Sequence, residues 1–98
     1  MSKINEYCES ICSSQDPSLS LENLKSFIHY IAYNSTLIAE SDIYRLENVI
    51  EHSLHQPILH VTLLDLLCEL LSLQNQKIEF QISTKINTIL RKINSQVS

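Results

Sequence analysis

The sequence predicts an all-α fold, and three observations carry the prediction. Apolar residues recur at i, i+3, i+4 and i+7 in one segment after another, the spacing that lines one face of a helix. Glycine is absent from all 98 residues, which removes the preferred residue of tight two-residue hairpins. Residues 57–73, "PILHVTLLDLLCELLSL", are apolar over most of a helix circumference. The expected architecture is an antiparallel four-helix bundle with an additional C-terminal helix, forming a single domain over 1–98 with a disordered tail at 95–98. A chain this long buries roughly 60–65% of its unfolded surface. With 44% hydrophobic and 18% charged residues it is globular in composition.

The first helix is expected near 5–14, where Ile4, Tyr7, Cys8, Ile11 and Cys12 make one apolar stripe. "SSQDPSLS" breaks the pattern, and Asp16-Pro17 or the serines after it can cap a second helix near 19–34, because proline tolerates the first helical turn. Leu21, Leu24, Phe27, Ile28 and Ile31 form its buried face. Asn34 is read as a left-handed C-terminal cap in place of glycine, and Asn75 and Asn94 as caps of the same kind. "STLIAES" is a loop or a short helical turn. Ser41-Asp42 then opens a third helix near 42–55, with Ile43, Leu46, Val49, Ile50 and Leu54 on one side, ending before Pro57.

The fourth helix, 58–74, has a narrow polar stripe of Thr62, Asp65, Glu69 and Ser72 at i, i+3, i+7 and i+10. It reads as a central helix with one solvated edge, and Leu63, Leu66, Leu67 and Leu70 should be the most buried residues. A bilayer span needs about 20 apolar residues. This run is shorter and carries Asp65 and Glu69 in its middle, each costing about 2.5–3.5 kcal/mol to insert. Ile78, Ile82, Ile86, Ile89 and Ile93, spaced by three or four, predict a fifth helix near 80–94 behind an irregular start at "KIEFQIS".

The absence of glycine excludes phosphate-cradling loops, dinucleotide fingerprints, EF-hand turns and nucleophile elbows, which need a backbone only glycine supplies. Cys8, Cys12 and Cys68 are odd in number, so no complete disulfide framework is possible, and a reducing compartment fits them better. They read as small apolar packing residues. The charged N-terminus, "MSKINEYCESIC", is unlike a signal peptide, and the expected location is intracellular. His52, His55 and His60 cluster around Pro57 at a spacing a metal could use, but they read as surface or capping residues. Asp65 and Glu69, one turn apart, resemble an acid/base pair and read as a solvated edge. Neither a catalytic residue nor a metal or cofactor is expected, and no small-molecule substrate.

Charge and aromatic placement yield the candidate partner-binding residues. Residues 1–76 hold three basic and ten acidic side chains, net −7, whereas 77–98 hold Lys77, Lys85, Arg91 and Lys92 against Glu79, net +3. With the isoleucine stripe docked on the bundle, Lys85, Arg91 and Lys92 should face outward toward an acidic partner or an anionic membrane face. Four charges over that length are sparse for nucleic acid. On the second helix, Ser26, His29, Tyr30 and Tyr33 share a flank, and its two tyrosines are candidates for a protein interface.

The order of elements, and above all "SSQDPSLSLENL" and "HQPILHVTLLDLLCELLSLQNQKIEFQISTKINTIL", resembles the small immunity proteins that lactic acid bacteria make against their own pediocin-like bacteriocins. The similarity is one of residue type and spacing over nearly the whole chain. It implies an antiparallel four-helix bundle, cytoplasmic and peripheral to the inner face of the membrane. It further implies recognition of a sugar-transport permease bound by bacteriocin, with the C-terminal half setting which bacteriocin is resisted. Fewer lysines and three cysteines depart from the family pattern. "DIYRLENVIEHSLHQPILHVTLLDLLCELLSLQN" is also similar to a pair of armadillo or HEAT helices, which implies a piece of a stacked helical scaffold or adaptor.

Overall fold

The computed structural model describes residues 3–34 and 38–97. It is all-α: α1 (Lys3–Ser13), α2 (Pro17–Tyr33), α3 (Glu40–Leu54), a 3₁₀ turn at Pro57–Leu59 leading directly into α4 (His60–Ser72), and α5 (Gln76–Val97). One core runs through all five helices. Ile11, Leu24, Phe27, Leu46, Val49, Leu59, Leu63, Leu66, Leu70, Ile78 and Ile89 are fully or almost fully buried in it. The leucines expected at its centre are there, with Leu67 only 3% exposed and Leu63, Leu66 and Leu70 at 0%.

Local chemistry explains each boundary. Asp16 caps α2, its Oδ1 accepting from the Ser18 amide at 3.0 Å with Pro17 in the first turn. Asn34 does end α2, donating from both its amide and Nδ2 to the Tyr30 carbonyl at 2.9 and 3.0 Å. Its φ of −123° is not left-handed, contrary to expectation, because the side-chain bond holds it instead. Among the described residues the left-handed one is Gln74, at φ 56°. Asn75 is an N-terminal cap, its Oδ1 accepting from the Lys77 and Ile78 amides, so α5 starts four residues earlier than the alternation in "KIEFQIS" suggested. Asn94 lies inside α5, which runs on through 95–97; Ser98 lies outside the described residues.

The third helix also begins earlier than expected. Ala39 precedes its first turn, and Asp42 turns back to accept from the Ala39 amide at 3.2 Å. In "STLIAES", residues 35–37 lie outside the described residues. Proline at 57 converts the expected single start of the fourth helix into a 3₁₀ turn followed by α4. Two positions on α4 are reversed: Thr62 is buried, whereas Cys68 is exposed. The solvated edge runs through Val61, Asp65, Cys68 and Ser72, a small rotation of the stripe drawn from polarity alone.

The packing pairs define the arrangement. α1 packs on α2 and α3, α2 on α4, α3 on α4 and α5, and α4 on α5. Among the described residues α1 meets α2 and α3 rather than α4, so the first four helices close in the order α1–α2–α4–α3 instead of chain order. α5 runs parallel to α3, since Lys77 pairs with Glu40 and Lys85 with Glu47. At the Pro57 break the chain turns by 119° between α3 and α4, well short of the roughly 160° of antiparallel bundle neighbours. The helices therefore form a ladder of two rows, α1–α3–α5 and α2–α4.

Candidate protein-interaction site

On α2, Lys25, Ser26, His29, Tyr30 and Tyr33 fall at i, i+1, i+4, i+5 and i+8, a spacing that gathers them along one flank while Leu24, Phe27 and Ile31 turn into the core. Tyr7 reaches this flank from α1. Together with Asn34 these residues line an open groove of about 610 Å³.

Its aromatic wall is held ring on ring. Tyr7 stacks on buried Phe27 at 5.5 Å between centroids and meets Tyr30 at 5.4 Å, and His29 tilts against Tyr33 at 4.8 Å. Contacts of this kind add about 0.5–1.5 kcal/mol each beyond area burial. Tyr7 and Tyr30 are half-buried, whereas Tyr33 is 76% exposed and forms the outer lip. Among the described residues, Lys25 is the one lining residue with a full charge, and no carboxylate lines the groove. Lys3 lies 5.9 Å above the Tyr7 ring and 3.6 Å from Glu6.

The basic candidates lie elsewhere. Lys77 and Lys85 are ion-paired with Glu40 and Glu47 of α3, and Gln81 also donates to Glu47 at 3.5 Å. The expectation that Lys85 faces outward therefore fails: it lies on the flank of α5 that meets α3, where Glu47 neutralises it. Arg91 is exposed and Lys92 half-buried. α5 packs on α3 and α4, so these four residues are not brought together with Tyr30 and Tyr33.

The remaining reactive side chains are engaged structurally. Burial, then the neighbouring Cys12 thiol and Asp42, push the Cys8 thiol up to about 12, and burial raises Cys12 as well. Both stay as protonated, unreactive thiols at neutral pH. His60 is buried with Nε2 2.9 Å from the Leu54 carbonyl. A carbonyl can only accept, so that nitrogen carries the proton and closes the end of α3. His52 bonds Gln56 at 2.9 Å and exposed His55 lies 3.9 Å from Glu51, so the three histidines point to different partners. Asp65 is exposed and Glu69 half-buried.

Two further grooves flank the α1–α3–α5 row. One, of about 620 Å³, lies between α1 and α3 and is lined by Cys8, Glu9, Cys12, Tyr44 and Arg45 among others. The other, of about 490 Å³, lies between α3 and α5 beside Phe80 and the Glu40–Lys77 pair. Tyr44, Val61 and Phe80 are exposed by 68%, 75% and 69%. Sequence reasoning passed over all three, although Tyr44 and Phe80 lie off the apolar stripes of their helices, and that was the available signal. No protein-family model, curated protein or solved structure matches this chain.

Proposed function

We propose that this chain is a small non-enzymatic helical scaffold that binds a protein partner through the tyrosine groove of α1 and α2. The observation that carries the reading is Tyr33, 76% exposed at the lip of a groove whose other rings are already fixed by stacking. Aromatic rings ordered before binding give up little entropy on contact, and tyrosine is enriched at interface centres. The two-row arrangement is also the connectivity of stacked helix pairs, which supports the scaffold reading. Held-up thiols and a histidine committed to a backbone carbonyl speak for binding rather than chemistry.

A photo-crosslinking residue at position 33, in cells making the protein, should give a discrete adduct with a protein. The same residue at exposed Ser83 on α5 should not. Equal labelling from the two positions would contradict the assignment of the site.

Arg91 and Lys92, at the C-terminal end of a 22-residue amphipathic α5, favour a second reading. In it the chain is a bacteriocin immunity protein, cytoplasmic and peripheral to the membrane, that engages a permease–bacteriocin complex through α5. Expression in a bacteriocin-sensitive strain tests it, since protection against one pediocin-like peptide is the required outcome and unaltered sensitivity to a full panel refutes it.

A further inference from the structure

We infer that the end of the molecule at the Pro57 turn is a docking surface for an anionic lipid bilayer. The inference rests on neither functional reading above, since it uses a surface apart from the tyrosine groove and does not require bacteriocin protection. Two segments far apart in sequence meet at this end. Lys85 pairs with Glu47 and the two helices run parallel at the same rise per residue, so seven residues further on Lys92 comes level with Leu54, where α3 stops. The 3₁₀ turn and the first turn of α4 follow at once, and the last residues of α5 extend beyond the end of α3.

Apolar side chains are left bare here. Ile58 is 50% exposed, Val61 75% and Leu90 43%, and none of them lines any of the three grooves described above. They stand on a turn and two helix flanks. A small molecule needs a concavity to enclose it, whereas a bilayer accepts a protruding aliphatic tip, whose burial in the interface adds to the attraction of basic residues for anionic headgroups. Charge selects the anionic surface. Of the eleven Asp and Glu residues none falls in 52–64 or 80–98, the segments that build this end. The nearest carboxylates along the chain, Glu51 and Asp65, lie about one turn back on α3 and α4, and Glu51 is 3.9 Å from His55. Arg91 and Lys92 flank Leu90 and, among the described residues, pair with no carboxylate, unlike Lys77 and Lys85. On a chain of net charge −4 an anionic bilayer repels most of the surface, so this end is the one turned toward it.

The test is co-sedimentation of the full chain with vesicles of phosphatidylcholine alone and of phosphatidylcholine mixed with phosphatidylglycerol. The mixed vesicles should bind it at least about tenfold more tightly, with binding falling as salt is raised. Arg91→Glu/Lys92→Glu and Ile58→Ser/Val61→Ser should each weaken that binding by about tenfold with circular dichroism unchanged. Phe80→Ser, at a comparably exposed position near the opposite end of α5, should not. Because the chain has no tryptophan, Val61→Trp and Phe80→Trp report which end meets the lipid, and emission should shift to the blue on mixed vesicles for position 61 only. No binding, equal binding to both vesicle types, unchanged binding in the two double variants, or an equal shift at the two positions would overturn the inference. Saturable binding of polyglutamate mapped by NMR to residues 88–93, without vesicle binding, would give this end to an acidic protein and overturn it as well. The position-33 crosslink and the protection assay judge the two functional readings separately from every one of these outcomes.

Discussion

At the scale of single residues, burial decides which side chains are structural and which remain available. Leu67 lies in the core at 3% exposure, so Leu67→Ala should cost about 2–5 kcal/mol in chemical denaturation. A buried polar group behaves differently according to its partners. His60→Leu leaves the Leu54 carbonyl without its donor and should cost about 1–3 kcal/mol. The Ser53 hydroxyl is buried with no partner among the described residues, so Ser53→Ala should be neutral or stabilising. The thiols divide in the same way. Exposed Cys68 should react with a thiol reagent in the native protein, whereas buried Cys8 should react only on unfolding. Because the folded Cys8 pKa is raised from 9.0 to about 12, its contribution to stability is fully present below pH 9 and is lost as pH rises toward 12. Denaturation midpoints should fall over that window less steeply in Cys8→Ala than in the parent chain.

At the scale of elements, periodicity located the helices and capping chemistry moved their ends. The stripes of Ile4–Ile11, Leu24–Ile31 and Leu63–Leu70 were legible because a 3.6-residue repeat has no competing explanation in a chain without glycine. The misreadings came where one side chain decides. Asn75 caps forward onto α5 instead of backward onto α4, and Gln74 takes the left-handed conformation that asparagine was expected to supply. Asp16 was readable in place, and Asp16→Ala should destabilise by about 0.5–2 kcal/mol through loss of the Ser18 amide bond. Lys85 shows the limit of reading charge along one helix: it looked outward until α3 supplied Glu47. A Glu47→Ala/Lys85→Ala double-mutant cycle should give a coupling of only about 0.2–1 kcal/mol, reduced by salt, because the pair is partly exposed. The tyrosine flank of α2 was visible in the sequence as Ser26, His29, Tyr30 and Tyr33. Its completion by Tyr7 of α1 was not, since nothing in α2 alone states which neighbour it meets.

At the scale of the whole molecule, the order of packing was the least legible feature, because an amphipathic helix specifies that it has a buried face but not which partner covers it. The chain turns 119° at Pro57, and this places α4 beside α2 while leaving α3 free to meet α1 and α5. α5, about 33 Å long at 1.5 Å per residue, ends the α1–α3–α5 row. The tyrosine groove depends on this arrangement, since the stacking of Tyr7 on Phe27 fixes α1 against α2 at the site. The most direct test of the account is a nuclear Overhauser map of the protein in solution, using labelled isoleucine, leucine, valine and aromatic groups. The ladder predicts strong cross-peaks from α1 to α3, from α3 to α5, and between the Tyr7, Phe27 and Tyr30 rings. Dominant cross-peaks from Ile4 and Ile11 to the α4 leucines, with none from α1 to α3, would instead establish a closed antiparallel bundle and contradict it.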